Sequence, residues 1–194
     1  MILTKQDVLD NINLFKQTIF VYPTDSIYGI GCDATNYDII SKLRTIKHRD
    51  EKPFSIIAPS IDWVKEHFVL NEIELEIVNQ FGNWIDVDGV LKPFTILLTP
   101  KDINFLPENL TFGLSKVGVR IPKHWISDIV SKIGFPIVTT SVNVSGKVHM
   151  TSTDDIDKDI DEKLDFIIDD GMLNGSPSTI LTVDENKKIV YLKR

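Results

Sequence analysis

Three short segments collect hydroxyl and amide side chains where an extended stretch gives way to a turn: Thr24/Ser26, Thr139/Ser141/Asn143/Ser145 and Ser178/Thr179. Separated cations accompany them, namely Lys47, Arg49, Lys52, Arg120 and Arg194. This set contains neither an activated nucleophile nor a histidine base. Hydroxyls, amides and fixed positive charges act instead by holding reactants in line and neutralising phosphate charge, which is the logic of phosphoryl and nucleotidyl transfer. Taken one at a time, Ser and Asn cap turns, Arg120 pairs at a strand surface and Arg194 belongs to a frayed tail. Taken together they fit one polyanion site.

Residue types exclude several other chemistries. A phosphate loop around Gly146-Lys147 would need Gly at 141 and a hydroxyl at 148, where the chain has Ser and Val. A G-x-S-x-G elbow is absent, and Gly29-Ile-Gly31 lacks the third glycine of a dinucleotide fingerprint. His48, His67, His124 and His149 are scattered without ligand spacing, so no metal site is expected; any metal would be Mg²⁺ arriving on phosphate oxygens. Cys32 is the sole cysteine, which rules out an intrachain disulfide and reads as a small packed residue.

The elements that must position these residues follow from periodicity. Ile19 to Tyr22 reads as a strand stopped by Pro23, leading through Thr24, Asp25, Ser26 and the Tyr28 hydroxyl into a turn. Gly29 and Gly31 there leave the backbone free to bend or to approach a ligand, and the turn is expected to enter a helix. Asn36 caps that helix, whose buried stripe is Ile39, Ile40, Leu43 and Ile46, with Lys42, Arg44, Lys47 and Arg49 on or near its polar side. A helix is expected over 4–16, strands over 53–58, 93–99, 117–121, 135–140 and 166–168, and a C-terminal hairpin of 179–183 with 189–192. Further helices are expected at 61–67, 72–81, 124–133 and about 154–164, with 83–92 and 102–112 as loops. Helices and strands interleave without strict βαβ order, so the expected fold class is α/β, a twisted mixed β-sheet with packed helices.

At 194 residues with 42% apolar and 25% charged side chains, the chain fits one compact domain spanning 1–194, with two small lobes as the other division. No apolar run nears the roughly 20 residues of a membrane span, and the N-terminus lacks a signal-peptide layout, so a cytoplasmic location without membrane partners is expected. The formal charge of −7 argues against non-specific coating of nucleic acid. The charge is uneven, however. Lys42, Arg44, Lys47, Arg49 and Lys52 cluster just after the glycine turn, whereas 154–170 is strongly acidic and reads as a solvated helix face.

Tyr22-Pro-Thr-Asp-Ser-Ile-Tyr-Gly-Ile-Gly31, Lys47-His-Arg49 with Lys52-Pro53, Val117-Gly-Val-Arg-Ile121, Thr139-Thr-Ser-Val-Asn-Val-Ser-Gly146 and Ser178-Thr-Ile180 resemble, in order and spacing, the YrdC/TsaC family. The resemblance runs from about Thr18 to Arg194. It implies a YrdC-like fold around a large concave cationic cavity. The activity it implies is L-threonylcarbamoyladenylate synthesis from L-threonine, bicarbonate or CO₂ and ATP, with Mg²⁺ accompanying ATP. Its product would feed the threonylcarbamoyl adenosine modification of tRNA through downstream transferase proteins.

Carried over by position, the resemblance implies that Ser26, Arg120, Thr139 and Ser178 contact threonine with Ile57 lining that pocket. Arg49, Lys52, Lys116, Ser141, His149 and Arg194 would face ATP, and Lys47 and Asn143 would complete the set around the phosphates. Asp50 replaces the usual Pro, and Leu91-Lys-Pro93 stands where a Trp-Pro-Gly-Pro element is common. The chain resembles the short form of the family, without an extra C-terminal domain. Two other readings remain: a non-catalytic module holding double-stranded RNA or tRNA by shape, and a related adenylating enzyme that takes a carbamoyl group rather than threonine.

Overall fold

The computed structural model of the chain describes residues 1–49, 51–143 and 150–192. Among them, ten strands form one continuous mixed sheet, in the order Ile2–Leu3, Phe166–Ile168, Phe20–Tyr22, Gly29–Gly31, Ile137–Ser141, Ser55–Ile57, Val117–Arg120, Phe94–Pro100, Thr179–Val183 and Ile189–Leu192. Phe68–Val69 joins as an eleventh by pairing with Phe94–Pro100. Parallel pairs occur at Ile2–Leu3 with Phe166–Ile168 and at Ser55–Ile57 with Val117–Arg120. The pairs inside the Phe20–Tyr22, Gly29–Gly31, Ile137–Ser141 run are antiparallel. The sheet is therefore mixed, as the interleaved periodicities imply.

Side chains alternate across the sheet, and along its central strands both faces are buried. Val21, Ile30, Ile56 and Ile96 enter a core that includes Ile40 and Leu43 of the helix Tyr37–Lys47. Phe20, Tyr22, Ile57 and Ile137 enter a second core, under Ile126, Ile129 and Val130 of the helix Ile126–Ile133. Burial of apolar area at about 25 cal/mol per Å² on each face is what holds strands this short in register.

Several expected elements are interrupted. The 4–16 helix is two pieces: Lys5–Asp10, where Thr4 and Asp7 do form a capping box, and a 3-10 turn Ile12–Phe15 after a break at Asn11. The 154–164 helix likewise divides into Thr153–Asp155 and Lys158–Asp161. The segment 83–92 is a hairpin rather than a loop. Ile85–Val87 pairs with Val90–Lys92, and Asp88 (φ 54°) and Gly89 (φ 81°) make the two-residue turn between them. The short strand Ile2–Leu3 lacks the length to show in periodicity.

The strand Phe20–Tyr22 does not lead into a helix. It turns back on itself, and Gly29–Gly31 is the returning strand. Its glycines serve packing: a Cβ on Gly31 would lie 2.1 Å from the Val138 carbonyl oxygen, and one on Gly29 would lie 2.9 Å from the Tyr22 ring. The close approach of three strands, more than a need to bend, selects glycine here.

Candidate active site

A cavity of about 340 Å³ crosses the middle of the sheet. Its walls come from Thr24 and 26–29, Arg49, Lys52, Pro53, Ser55, Thr95, Arg120, Thr139–Ser141 and the approach to the strand Thr179–Val183 at Pro177, Ser178 and Ile180. Cross-strand register explains why these meet: Thr139 lies opposite Ser55, Ser141 opposite Gly29 and Ile180 opposite Thr95. The volume falls in the range of small-molecule sites.

The 24–27 turn is pinned by one hydroxyl. Thr24 Oγ1 accepts from the Ser26 and Ile27 amides at 3.1 and 3.3 Å and lies 2.9 Å from Ser26 Oγ. That geometry aims Ser26 at Arg120, whose Nη1 lies 3.4 Å from Ser26 Oγ. Arg120 also forms a buried ion pair, Nη2 to Asp25 Oδ1. Asp25 Oδ2 accepts from the Lys123 amide at 2.9 Å and the Trp84 indole at 3.0 Å. Arg120 Nε is buried without a hydrogen-bond partner. Opposite, Ser178 Oγ and Thr95 Oγ1 lie 2.8 Å apart, both buried.

The basic segment begins where the helix Tyr37–Lys47 ends. His48 takes a left-handed φ of 47°, and the Arg49 amide donates to the Arg44 carbonyl at 3.1 Å, closing the helix and turning Arg49 toward the sheet. Arg49 Nη1 reaches Thr140 Oγ1 at 3.3 Å, and Nη2 donates to the Pro53 carbonyl at 2.6 Å. Burial draws its pKa below the ordinary guanidinium value. Lys52 shares the wall and is exposed.

Lys47 takes a different place. It is 2% exposed, lies behind the cavity lining, and its Nζ donates to the carbonyls of Ser141 and Asn143 and to Asn143 Oδ1. Ser141 Oγ donates to the same Asn143 Oδ1 at 2.6 Å. The lysine therefore ties down the turn that presents Ser141. Burial, with Arg49 nearby, lowers its pKa to about 7.

Other expected positions lie elsewhere. Ile57 is fully buried in the core beside Tyr22 and Ile137, not in the cavity wall. Lys116 Nζ donates to Thr182 Oγ1 at 3.0 Å, away from the lining residues. His149 and Arg194 lie outside the described residues, as does Asp50. Cys32 is fully buried, and burial raises its pKa, so it is packed and unreactive.

Three contributors carried no assigned role in the sequence: Asp25, Trp84 and Arg44. Asp25 and Trp84 are 59 residues apart, and no local pattern joins them. Arg44 and Lys47 did leave a signal. They follow Ile40 by four and seven positions, on the flank of the helix that packs inward, and both are buried.

The profile of the Sua5/YciO/YrdC family, described as telomere recombination, matches residues 13–194. The chain is 33% identical over 136 residues to the threonylcarbamoyl-AMP synthase of Hydrogenovibrio crunogenus, covering 69% of this chain and 70% of that one. It is 28% identical over 187 residues to the threonylcarbamoyl-AMP synthase of Buchnera aphidicola subsp. Acyrthosiphon pisum, covering 92% and 99%. The crystal structure of P. abyssi Sua5 complexed with L-threonine has the same fold, with a TM-score of 0.83 at 24% identity, covering all of this chain and 57% of Sua5. This chain thus spans little more than half the length of that protein. A profile match over nearly the whole sequence, joined by a relative one-third identical across more than two-thirds of it, means that the chain belongs to the Sua5/YciO/YrdC family.

Proposed function

We propose that residues 1–194 act as one YrdC-like domain that makes L-threonylcarbamoyladenylate and pyrophosphate from L-threonine, bicarbonate or CO₂ and ATP. One observation carries this reading: Arg49, Arg120, Ser141 and Ser178, drawn from four separate segments, line a single hollow. Family membership and the names of the relatives support it.

In this reading threonine lies against Ser26, Arg120, Thr139 and Ser178, its carboxylate directed at the Arg120 guanidinium. Its neutral amine combines with bicarbonate, losing water, to form a carbamate. A carbamate oxygen attacks the α-phosphorus of ATP in line, and pyrophosphate leaves. Arg49 and Lys52 neutralise the phosphates, while Lys47 and Asn143 hold Ser141 in place beside them. Catalysis is then chiefly positioning and charge neutralisation. The described lining offers hydroxyls and cations without a carboxylate, and among the described residues no three His, Cys, Asp or Glu side chains cluster to hold a metal. These residues form no cage for Mg²⁺; a magnesium ion would travel on the phosphates of its substrate. The product would supply downstream transferase proteins that modify tRNA. Among the described residues no helix is long and apolar enough to cross a membrane.

The test is pyrophosphate release from purified protein given ATP, bicarbonate and threonine. Release that requires threonine supports the proposal. Release that requires a carbamoyl compound instead would move the chain to a carbamoyl-adenylating reaction. No release, together with salt-sensitive binding of double-stranded RNA, would replace the proposal with the binding-module reading.

A further inference from the structure

Behind the wall that carries Arg49 and Lys52 lies a second guanidinium, Arg44, which is not part of the cavity lining. Its donors reach two different segments. Nε donates to the Asn109 carbonyl at 2.6 Å and Nη2 reaches the Leu110 carbonyl at 3.4 Å, while Nη1 serves the carbonyls of Arg49 at 3.1 Å and Lys52 at 3.0 Å. The guanidinium lies 4.5 Å from the centre of the Phe54 ring and 4.0 Å from that of Phe112. The 109–110 end is itself anchored, because Asn109 Nδ2 donates to the Tyr37 carbonyl and to Ser41 Oγ at 2.8 and 2.9 Å. On the other side, the Lys52 carbonyl is shared, taking Arg44 Nη1 and also Arg49 Nε at 3.2 Å.

We propose that Arg44 is a positioning residue for the nucleotide side of the cavity, clamping the backbone at Arg49 and Lys52 to the helix Tyr37–Lys47 and to the short helix Glu108–Thr111, which stands within the loop expected over 102–112. The inference rests on the functional reading above, in that the phosphates are taken to lie against Arg49 and Lys52. A planar fork with five donors can serve carbonyls from two segments at once, whereas an ammonium on a flexible stem cannot span them. Burial, with Arg49 nearby, draws the Arg44 pKa down to about 10, so Arg44 remains charged near neutrality. Arg44 thus fixes the geometry of the segment without touching substrate.

The experiment compares wild-type protein with Arg44→Lys and Arg44→Met. Binding of a non-hydrolysable ATP analogue and of L-threonine is measured separately by calorimetry, alongside KM for each substrate. The expected result is an analogue affinity and an ATP KM worse by about tenfold or more in both variants, with threonine affinity within about twofold of wild type. An unchanged analogue affinity overturns the inference. So does an equal loss of both ligands, or failure of both variants to fold, since either outcome makes Arg44 a general stability residue. Wild-type protein that binds threonine but no ATP analogue would overturn the functional reading instead.

Discussion

Two cationic regions border the same cavity, and they are built on opposite principles. Arg120 is neutralised by a buried carboxylate, Asp25, which the Lys123 amide and the Trp84 indole hold in place. Lys47 and Arg49 are instead seated on oxygen dipoles, chiefly backbone carbonyls, and burial lowers the pKa of each. A paired guanidinium keeps its shape and loses much of its field, which suits recognition by geometry. Arg49, seated on a backbone carbonyl and a hydroxyl, keeps its field, which suits a polyanion.

The strongest way to break that contrast is Arg49→Ala. Turnover is expected to fall by about 10²–10³-fold, measured as pyrophosphate release, with the fold intact by circular dichroism. Near-normal release would remove Arg49 from the site.

Arg120→Leu tests the other side. It strands the Asp25 carboxylate in a buried setting, so a stability loss of about 3–5 kcal/mol is expected by denaturant unfolding, along with loss of threonine binding. A double variant, Arg120→Leu with Asp25→Leu, should regain most of the stability and none of the binding. If the single variant is as stable as wild type, the pairing of Arg120 with Asp25 carries no weight.

Lys47 provides a test through pH. Its proton is held up to about pH 10.5 when unfolded but only to about 7 when folded. Between those values the unfolded state binds more protons, so stability should rise with pH from 7 to 10.5 and fall back as pH returns to 7. The three oxygen acceptors around Nζ oppose the shift, which limits the rise to no more than ~5 kcal/mol. Lys47→Met should flatten this part of the unfolding profile relative to wild type. An identical profile in the variant would mean that the buried ammonium is not destabilised.

The smallest effect is expected from Trp84→Phe, which removes one hydrogen bond to Asp25 from a half-exposed ring. Stability should drop by about 0.5–1.5 kcal/mol, and the threonine KM should rise more than the ATP KM. A rise confined to ATP would blur the distinction between the two regions.

What local sequence determined is what local physics controls. The cap at Asn36, the capping boxes at Thr4 and Asn71, the stop at Gly134 and the strands around 20–22, 55–57, 94–100 and 117–120 all follow from side chains acting on backbone a few residues away. The Asp88-Gly89 turn, read only as part of a loop over 83–92, carries the Asp-Gly signal of a two-residue hairpin, with left-handed φ at both positions.

The tertiary structure alone decided which side chains face the hollow and which stand behind it. Ser26, Arg49, Arg120, Thr139, Ser141 and Ser178 converge because cross-strand register superimposes segments more than 80 residues apart, and register depends on how two buried faces fill. Lys47 and Ile57 fall behind the wall, and Asp25 finds Arg120 and Trp84, for the same reason: partners distant in sequence meet only after the sheet has closed its cores.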